Sequence, residues 1–185
     1  MGIFKFFGRS KNDKEETVDW QAMQPMERFV KRYTDKGGRF LLSMPGTGKD
    51  LLELLLKILK EEQKDKYYTS DESLFEKLLS LGIPLQLTHK APKDAVFVLN
   101  AQFLIEAQGD IMITGKQTGG MTPEELPRTL VFLARPGQLV TSVEEAMTRI
   151  NRMYKSSDYP ANIRTLRHFG KEQNHPTAYL ILYEE

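Results

Sequence analysis

Apolar positions along the chain switch between two spacings. After Pro25, a residue suited to a first helical position, Met26, Phe29, Val30 and Tyr33 recur every three or four residues, and the pair Gly37-Gly38 closes the run. That spacing predicts a helix. Residues 40–44 form a short apolar run after the glycines and predict a strand. Leu51, Leu52, Leu55, Ile58 and Leu59 return to helical spacing, with Glu53 and Lys57 as a favourable pair on the opposite side. Tyr67–Thr69 predicts a strand. Thr69 and Glu72 have the spacing of a capping box, which opens a helix with Leu74, Phe75, Leu78 and Leu79 turned inward until Gly82 and Pro84.

Strand signals dominate the second half. Residues 85–88 predict a short strand, and residues 94–99 form a near-continuous apolar run, the pattern of a strand buried on both faces. Residues 111–114, Thr129–Ala134 and 178–183 predict further strands. Thr141 or Ser142, followed by Glu144 or Glu145, opens a helix whose inward face is Val143, Ala146, Met147 and Ile150. A last helix is expected around residues 161–169. Alternation of helix and strand predicts an α/β domain of three layers with a largely parallel central sheet flanked by helices, because parallel neighbours need long crossovers and helices supply them. The longest stretch with no periodic signal is 115–127, and irregular segments of this kind often carry function.

Composition narrows the classes. The chain has 185 residues, enough for one domain. Residues 1–16 are set apart as a flexible basic-aromatic tail, with Lys5, Arg9, Lys11 and Lys14 among Phe4, Phe6 and Phe7, and residues 17–185 as the single domain. Lys and Arg number 26 against 25 Asp and Glu, a net charge of +1 that points away from nucleic-acid binding. There is no cysteine, which excludes disulfides, thiolate metal sites and a thiol nucleophile on this chain. His89, His168 and His175 lack metal-ligand spacing, so neither a metal nor a cofactor is expected. No apolar run reaches the ~18 residues of a membrane span, and the start lacks a signal-like apolar stretch. The expected location is the cytoplasm.

One segment is close to a phosphate-binding loop. Ser43-Met44-Pro45-Gly46-Thr47-Gly48-Lys49-Asp50 lies between a predicted strand and a predicted helix. The pattern needs Gly where Ser43 stands and a hydroxyl where Asp50 stands. A carboxylate there would repel phosphate, so an ATP-binding enzyme built on this loop is the least favoured function.

A longer collinear series carries more. DAVFVLNAQFLIEAQGDIMIT places strands around Gly109, and GKQTGGMTPEELPRTLVFLARPGQLVTSVEEAMTRI follows with a glycine-containing loop, an apolar strand, the Arg135-Pro136 turn and a helix entered between Val140 and Ala146. Ala161-Asn162-Ile163 and the closing TAYLILYEE complete it. In this series the chain resembles the LUD domain, the lactate-utilisation family. The resemblance implies a NagB/RpiA/CoA-transferase-like fold, shared with sugar-phosphate isomerases and CoA transferases. It also implies a place in cytoplasmic systems that oxidise L-lactate to pyruvate beside partner subunits carrying iron–sulfur clusters. Two family patterns are altered. E-T-G-T falls on Ala107-Gln108-Gly109-Asp110, with Glu106 one residue early, and S-R-T-A-D-I falls on Asp158-Tyr159-Pro160-Ala161-Asn162-Ile163. Tyr159 and Asn162 replace a cation and a carboxylate, which implies either a different ligand or lost catalysis.

Parallel α/β sheets bind ligands beyond the carboxyl ends of their strands. The expected site residues are therefore Asn100 and Gln102, after the 94–99 strand, and Gly115, Lys116, Gln117, Thr118, Gly119 and Gly120, after the 111–114 strand, with Asn162 nearby. Backbone amides of the glycine loop, with Lys116 and Thr118, suit a small carboxylate or phosphate. Glu106 is the one candidate general base, provided that burial raises its pKa. The leading expectation is a LUD-type domain that binds a small anionic metabolite, as an accessory or subunit in L-lactate or related organic-acid use. The alternative is an interaction protein with a decayed ligand site.

Overall fold

The structure is a computed structural model that describes residues 23–43, 48–170 and 175–184. The expected tail 1–16 and positions 44–47 of the loop motif lie outside the described residues. In chain order the elements are α1 (Pro25–Asp35), β1 (Arg39–Leu42), α2 (Lys49–Glu61), β2 (Tyr67–Thr69), α3 (Glu72–Ser80), β3 (Leu85–Leu87), β4 (Val96–Asn100), β5 (Phe103–Ile105), β6 (Asp110–Ile113), α4 (Gly115–Thr118), β7 (Thr129–Ala134), β8 (Leu139–Val140), α5 (Val143–Met153), β9 (Arg164–Leu166) and β10 (Thr177–Leu182), with short 3₁₀ turns at Pro136–Gln138 and Ser156–Asp158.

A six-stranded sheet runs β1-β10-β7-β4-β2-β3, with every neighbouring pair parallel. Side chains on a strand alternate between faces, and each face of this sheet is apolar. Val96, Val98, Val131, Leu133, Tyr179 and Ile181 meet Leu51, Leu55 and Ile58 of α2 and Leu74 and Leu78 of α3. On the other face Phe97, Leu99, Leu130, Phe132 and Leu180 meet Phe29 and Tyr33 of α1. This double burial is why the strands read as continuous apolar runs rather than alternating ones.

A second sheet, β8-β5-β6-β9, completes the layer beside α1. β5 and β6 form an antiparallel hairpin, β8 joins β5 in parallel and β9 joins β6 antiparallel. Leu104, Ile111 and Ile113 face the main core, while Phe103, Ile105 and Met112 pack with Ala146 and Ile150 of α5 in a separate cluster.

The hairpin is pinned to α1 at its turn. Gly109 has φ +69°, a left-handed conformation natural to glycine, and a Cβ there would lie 2.6 Å from both Arg32 Cβ and Tyr33 N. Beside it, Arg28 Nε donates to Glu106 Oε1 at 2.7 Å and Arg32 donates to the Glu106 carbonyl at 3.0 Å. Asp110 is fully buried and accepts from Lys36 Nζ. Arg167 Nε lies 3.2 Å from its other oxygen, Oδ2, as an ion pair without hydrogen-bond alignment. One half-buried and one fully buried carboxylate thus meet cations from α1, its C-terminal side and the far end of β9.

Several sequence expectations are corrected. Residues 161–169 hold no helix: β9 pairs there with β6, Arg164 opposite Ile113. Pro160 and Asn162, the latter at φ +54°, break any helical path, and the open edge of β6 supplies partners for the backbone instead. The strand at 103–105 was not expected; three apolar residues are too few to show a period. Thr69 does not cap α3. Asp71 does, its carboxylate accepting from Leu74 N at 3.0 Å, while the Thr69 hydroxyl accepts from Asp71 N. Ser142 caps α5 as expected, and the Glu145 side chain reaches back to Thr141 N at 2.8 Å.

Candidate functional site

β2, β4, β7 and β10 point their carboxyl ends to one rim. Asn100, the last residue of β4, shares a face with Val96 and Val98, and its amide lies 3.5 Å from the Asp71 carboxylate. Past it the chain turns into the second sheet, and a polar cluster forms under the turn. Gln117 Nε2 donates to Gln102 Oε1 at 2.8 Å, and Gln117 Oε1 accepts from both the backbone and the hydroxyl of Thr114 at 2.7 Å. Tyr154 donates to Gln102 Oε1 at 3.4 Å, and Ser70 donates to the Gln117 carbonyl at 3.0 Å. Gln102, Thr114, Gln117 and Thr118 are buried. Buried polar groups need such partners, and here they find them in one another.

The glycine loop is therefore not an open anion cradle. Residues 115–118 form a single helical turn, capped by Thr114 and ended by Gly119 in the left-handed conformation. Its amides are already used: Gly115 N donates to the Ala161 carbonyl at 2.7 Å, Lys116 N to Thr114 Oγ1 at 3.2 Å and Gly120 N to the Gly115 carbonyl at 3.0 Å. The Lys116 ammonium is paired with Asp158 at 2.7 Å and stands 4.7 Å from the Tyr154 ring.

The structure thus brings Asn100, Gln102, Gly115, Gln117 and Thr118 to one end of the molecule, with Lys116, Gly119 and Gly120 at its exposed lip. Asn162 packs against Gly115 and borders a separate small cavity of about 280 Å³ with Thr122, Pro123 and Arg164. Burial lowers the pKa of the Arg164 guanidinium, whose Nε has no acceptor among the described residues. Glu106 is elsewhere, at the turn of the hairpin whose open end carries Gln102, and its carboxylate is held by Arg28.

Sequence reasoning missed three rim residues. Tyr183, just past β10, lies between two cations: Lys77 Nζ is 4.7 Å from its ring centre and Arg135 Cζ is 5.7 Å away. Arg135 was findable, because it is the first residue beyond the carboxyl end of β7. Lys77 was not, because its position on α3 becomes meaningful only when that helix is docked. The start of α2 adds to this rim. Gly48 has φ +61°, no side chain among the described residues caps the helix, and Gly48 packs on Leu81 just beyond α3. Anions are favoured at such a helix N-terminus. A larger cavity, about 1030 Å³, opens at the opposite end of the sheet beside Thr129 and Thr177, and none of the expected site residues lines it.

No family model and no curated protein matches this chain. Among solved structures it is similar to a DUF162 family protein from Deinococcus radiodurans, with a TM-score of 0.62 and 15% identity over 86% of this chain and 95% of that one. It also aligns with ribose 5-phosphate isomerase from Plasmodium falciparum over 64% of this chain and 54% of that one, with 16% identity and a TM-score of 0.27, too low to carry an argument. DUF162 is the LUD family. At this identity the likeness is one of fold: the chain has the α/β architecture of a DUF162 protein, with a six-stranded parallel sheet flanked by helices.

Proposed function

We propose that the chain is a LUD-type domain that binds a small anionic metabolite, a carboxylate of the L-lactate class, at the carboxyl rim of its parallel sheet. In this reading it serves cytoplasmic L-lactate or related organic-acid utilisation as an accessory or subunit beside an iron–sulfur partner. One observation carries the proposal. Lys77 and Arg135 flank Tyr183 on the sheet face that also carries Asn100. Arg135 and Lys77 would meet the carboxylate, since charge-assisted hydrogen bonds are about twice as strong as neutral ones. Asn100 and the Tyr183 hydroxyl would take the neutral hydroxyl or carbonyl. The Gln102–Gln117–Thr114 cluster would hold the rim in shape.

A thermal-shift series with L-lactate, pyruvate, inorganic phosphate and ATP–magnesium tests it. Ligand at 100 times its dissociation constant adds ~2.7 kcal/mol, roughly 5–10 °C for a chain of this size. The expected result is stabilisation by a carboxylate, lost in Arg135→Gln and reduced in Lys77→Gln. Stabilisation by ATP–magnesium alone, abolished by Lys49→Ala, would replace this reading with a nucleotide enzyme. Silence toward every anion would leave the interaction protein.

A further inference from the structure

We infer that the cleft at the amino ends of β7 and β10 is a second ligand site, shaped for an organic phosphate with a flat apolar body, the chemistry of a nucleoside monophosphate. Its volume of about 1030 Å³ is ample, since small-molecule sites run to roughly 300–1,000 Å³. Its accessible apolar lining comes from the half-buried Leu166 and Pro176 and the exposed Pro123, while Leu126 and Leu130 are buried in the core. Its charged wall is unbalanced toward the positive.

Both acids of the wall have partners within the protein. Glu62 accepts from the Tyr179 hydroxyl at 2.7 Å and the Thr129 hydroxyl at 3.2 Å, and Arg39 lies 3.9 Å away. Glu124 acts electrostatically on the half-buried Arg164. Of the bases, Arg167 pairs with Asp110 and Lys93 donates to the Leu126 carbonyl at 3.3 Å. Arg128 is exposed and makes no ion pair with a described residue. Its carbonyl accepts from Thr177 N at 2.8 Å, which fixes it beside the segment that carries His175. The rings of His175 and His168 lie with their centres 5.2 Å apart and their planes tilted by 32°. A guanidinium and two imidazoles therefore line the same cleft. A phosphate there would take two parallel hydrogen bonds from Arg128 and N–H donors from the imidazoles, while a ring system lies over Leu166 and Pro176. This site does not depend on the reading of the carboxyl rim.

Calorimetric titration of the whole chain with adenosine 5′-monophosphate, adenosine and inorganic phosphate tests the inference. The monophosphate should bind about tenfold tighter than either fragment, because it engages both the basic groups and the apolar lining. Arg128→Gln should weaken it about tenfold, ~1.4 kcal/mol, with an unchanged melting temperature, since the backbone contact to Thr177 survives the substitution. Arg135→Gln, at the other rim, should bind as wild type does. Absence of saturable binding at millimolar monophosphate would overturn the inference. So would equal affinity in Arg128→Gln, or a loss confined to Arg135→Gln, which would move the ligand to the carboxyl rim.

Discussion

Gly109→Ala probes the seam between the β5–β6 hairpin and α1. The substitution places a methyl group where φ is +69°, and its carbon would stand 2.6 Å from Arg32 Cβ and Tyr33 N and 2.7 Å from Arg32 C. Two of these three atoms are helix backbone, so no side chain can swing clear. Gly120→Ala is the control, with φ +82° and nothing within 4 Å of the new carbon. Both variants carry the left-handed penalty, ~1–2 kcal/mol, and both gain the same small benefit from a stiffer unfolded chain. Only Gly109→Ala adds overpacking, typically ~1–3 kcal/mol. The expected loss is therefore about 2–5 kcal/mol at Gly109, and the excess over Gly120 is the contact itself. For a chain of this size 1 kcal/mol is roughly 2–4 °C. Thermal and urea melts of the two variants read the difference directly. Equal melting temperatures would mean that the hairpin does not touch α1 as described, and the pairing of Glu106 with Arg28 would fall with it.

Three further outcomes follow from the same packing. Tyr33→Phe removes the hydroxyl that donates to the Ala178 carbonyl at 3.1 Å, and should cost ~0.5–1.5 kcal/mol in urea unfolding. Ser142→Ala removes the cap of α5 and should cost ~0.5–2 kcal/mol; an unchanged melt would show that the Glu145–Thr141 bond caps the helix alone. Burial pushes the phenols of Tyr33 and Tyr67 well above their usual range, and burial with the Glu62 carboxylate does the same to Tyr179. A folded-state pKa above the unfolded one stabilises the fold fully below about pH 10, and that stability is lost as pH rises beyond it. Ultraviolet titration of the native chain should then show Tyr33, Tyr67 and Tyr179 ionising only with alkaline unfolding.

The fold was legible wherever burial left a period. α1, α2, α3 and α5 each show one apolar stripe, and the parallel strands show solid apolar runs because helices or a second sheet cover both faces. The second sheet was not legible in the same way. β5 and β9 have three residues each, too short to alternate visibly, and β9 exists because β6 offers an edge. The site was legible by topology and illegible by chemistry. Counting to the ends of the strands led to Asn100 and Gln102, which the fold does bring beside residues 115–118. Composition suggested a flexible loop of free amides at 115–120, but Thr114 and Gln117 close that loop into a capped turn. Tyr183 and the two cations beside it come from three separate parts of the chain, and no local pattern in the sequence links positions 77, 135 and 183.

The pairing of β1 with β10 has a consequence for biosynthesis. Arg39 lies opposite Tyr179 across the sheet, and β10 is the partner of β1 on one side and of β7 on the other. A growing chain that has emerged through β7 still lacks the strand that belongs between β1 and β7. Long-range closure of this kind is slow, so the apolar underside of β1 must be shielded until translation reaches residues 177–182. The emergence of residues 177–182, rather than the appearance of any earlier helix, sets the moment at which this sheet becomes whole.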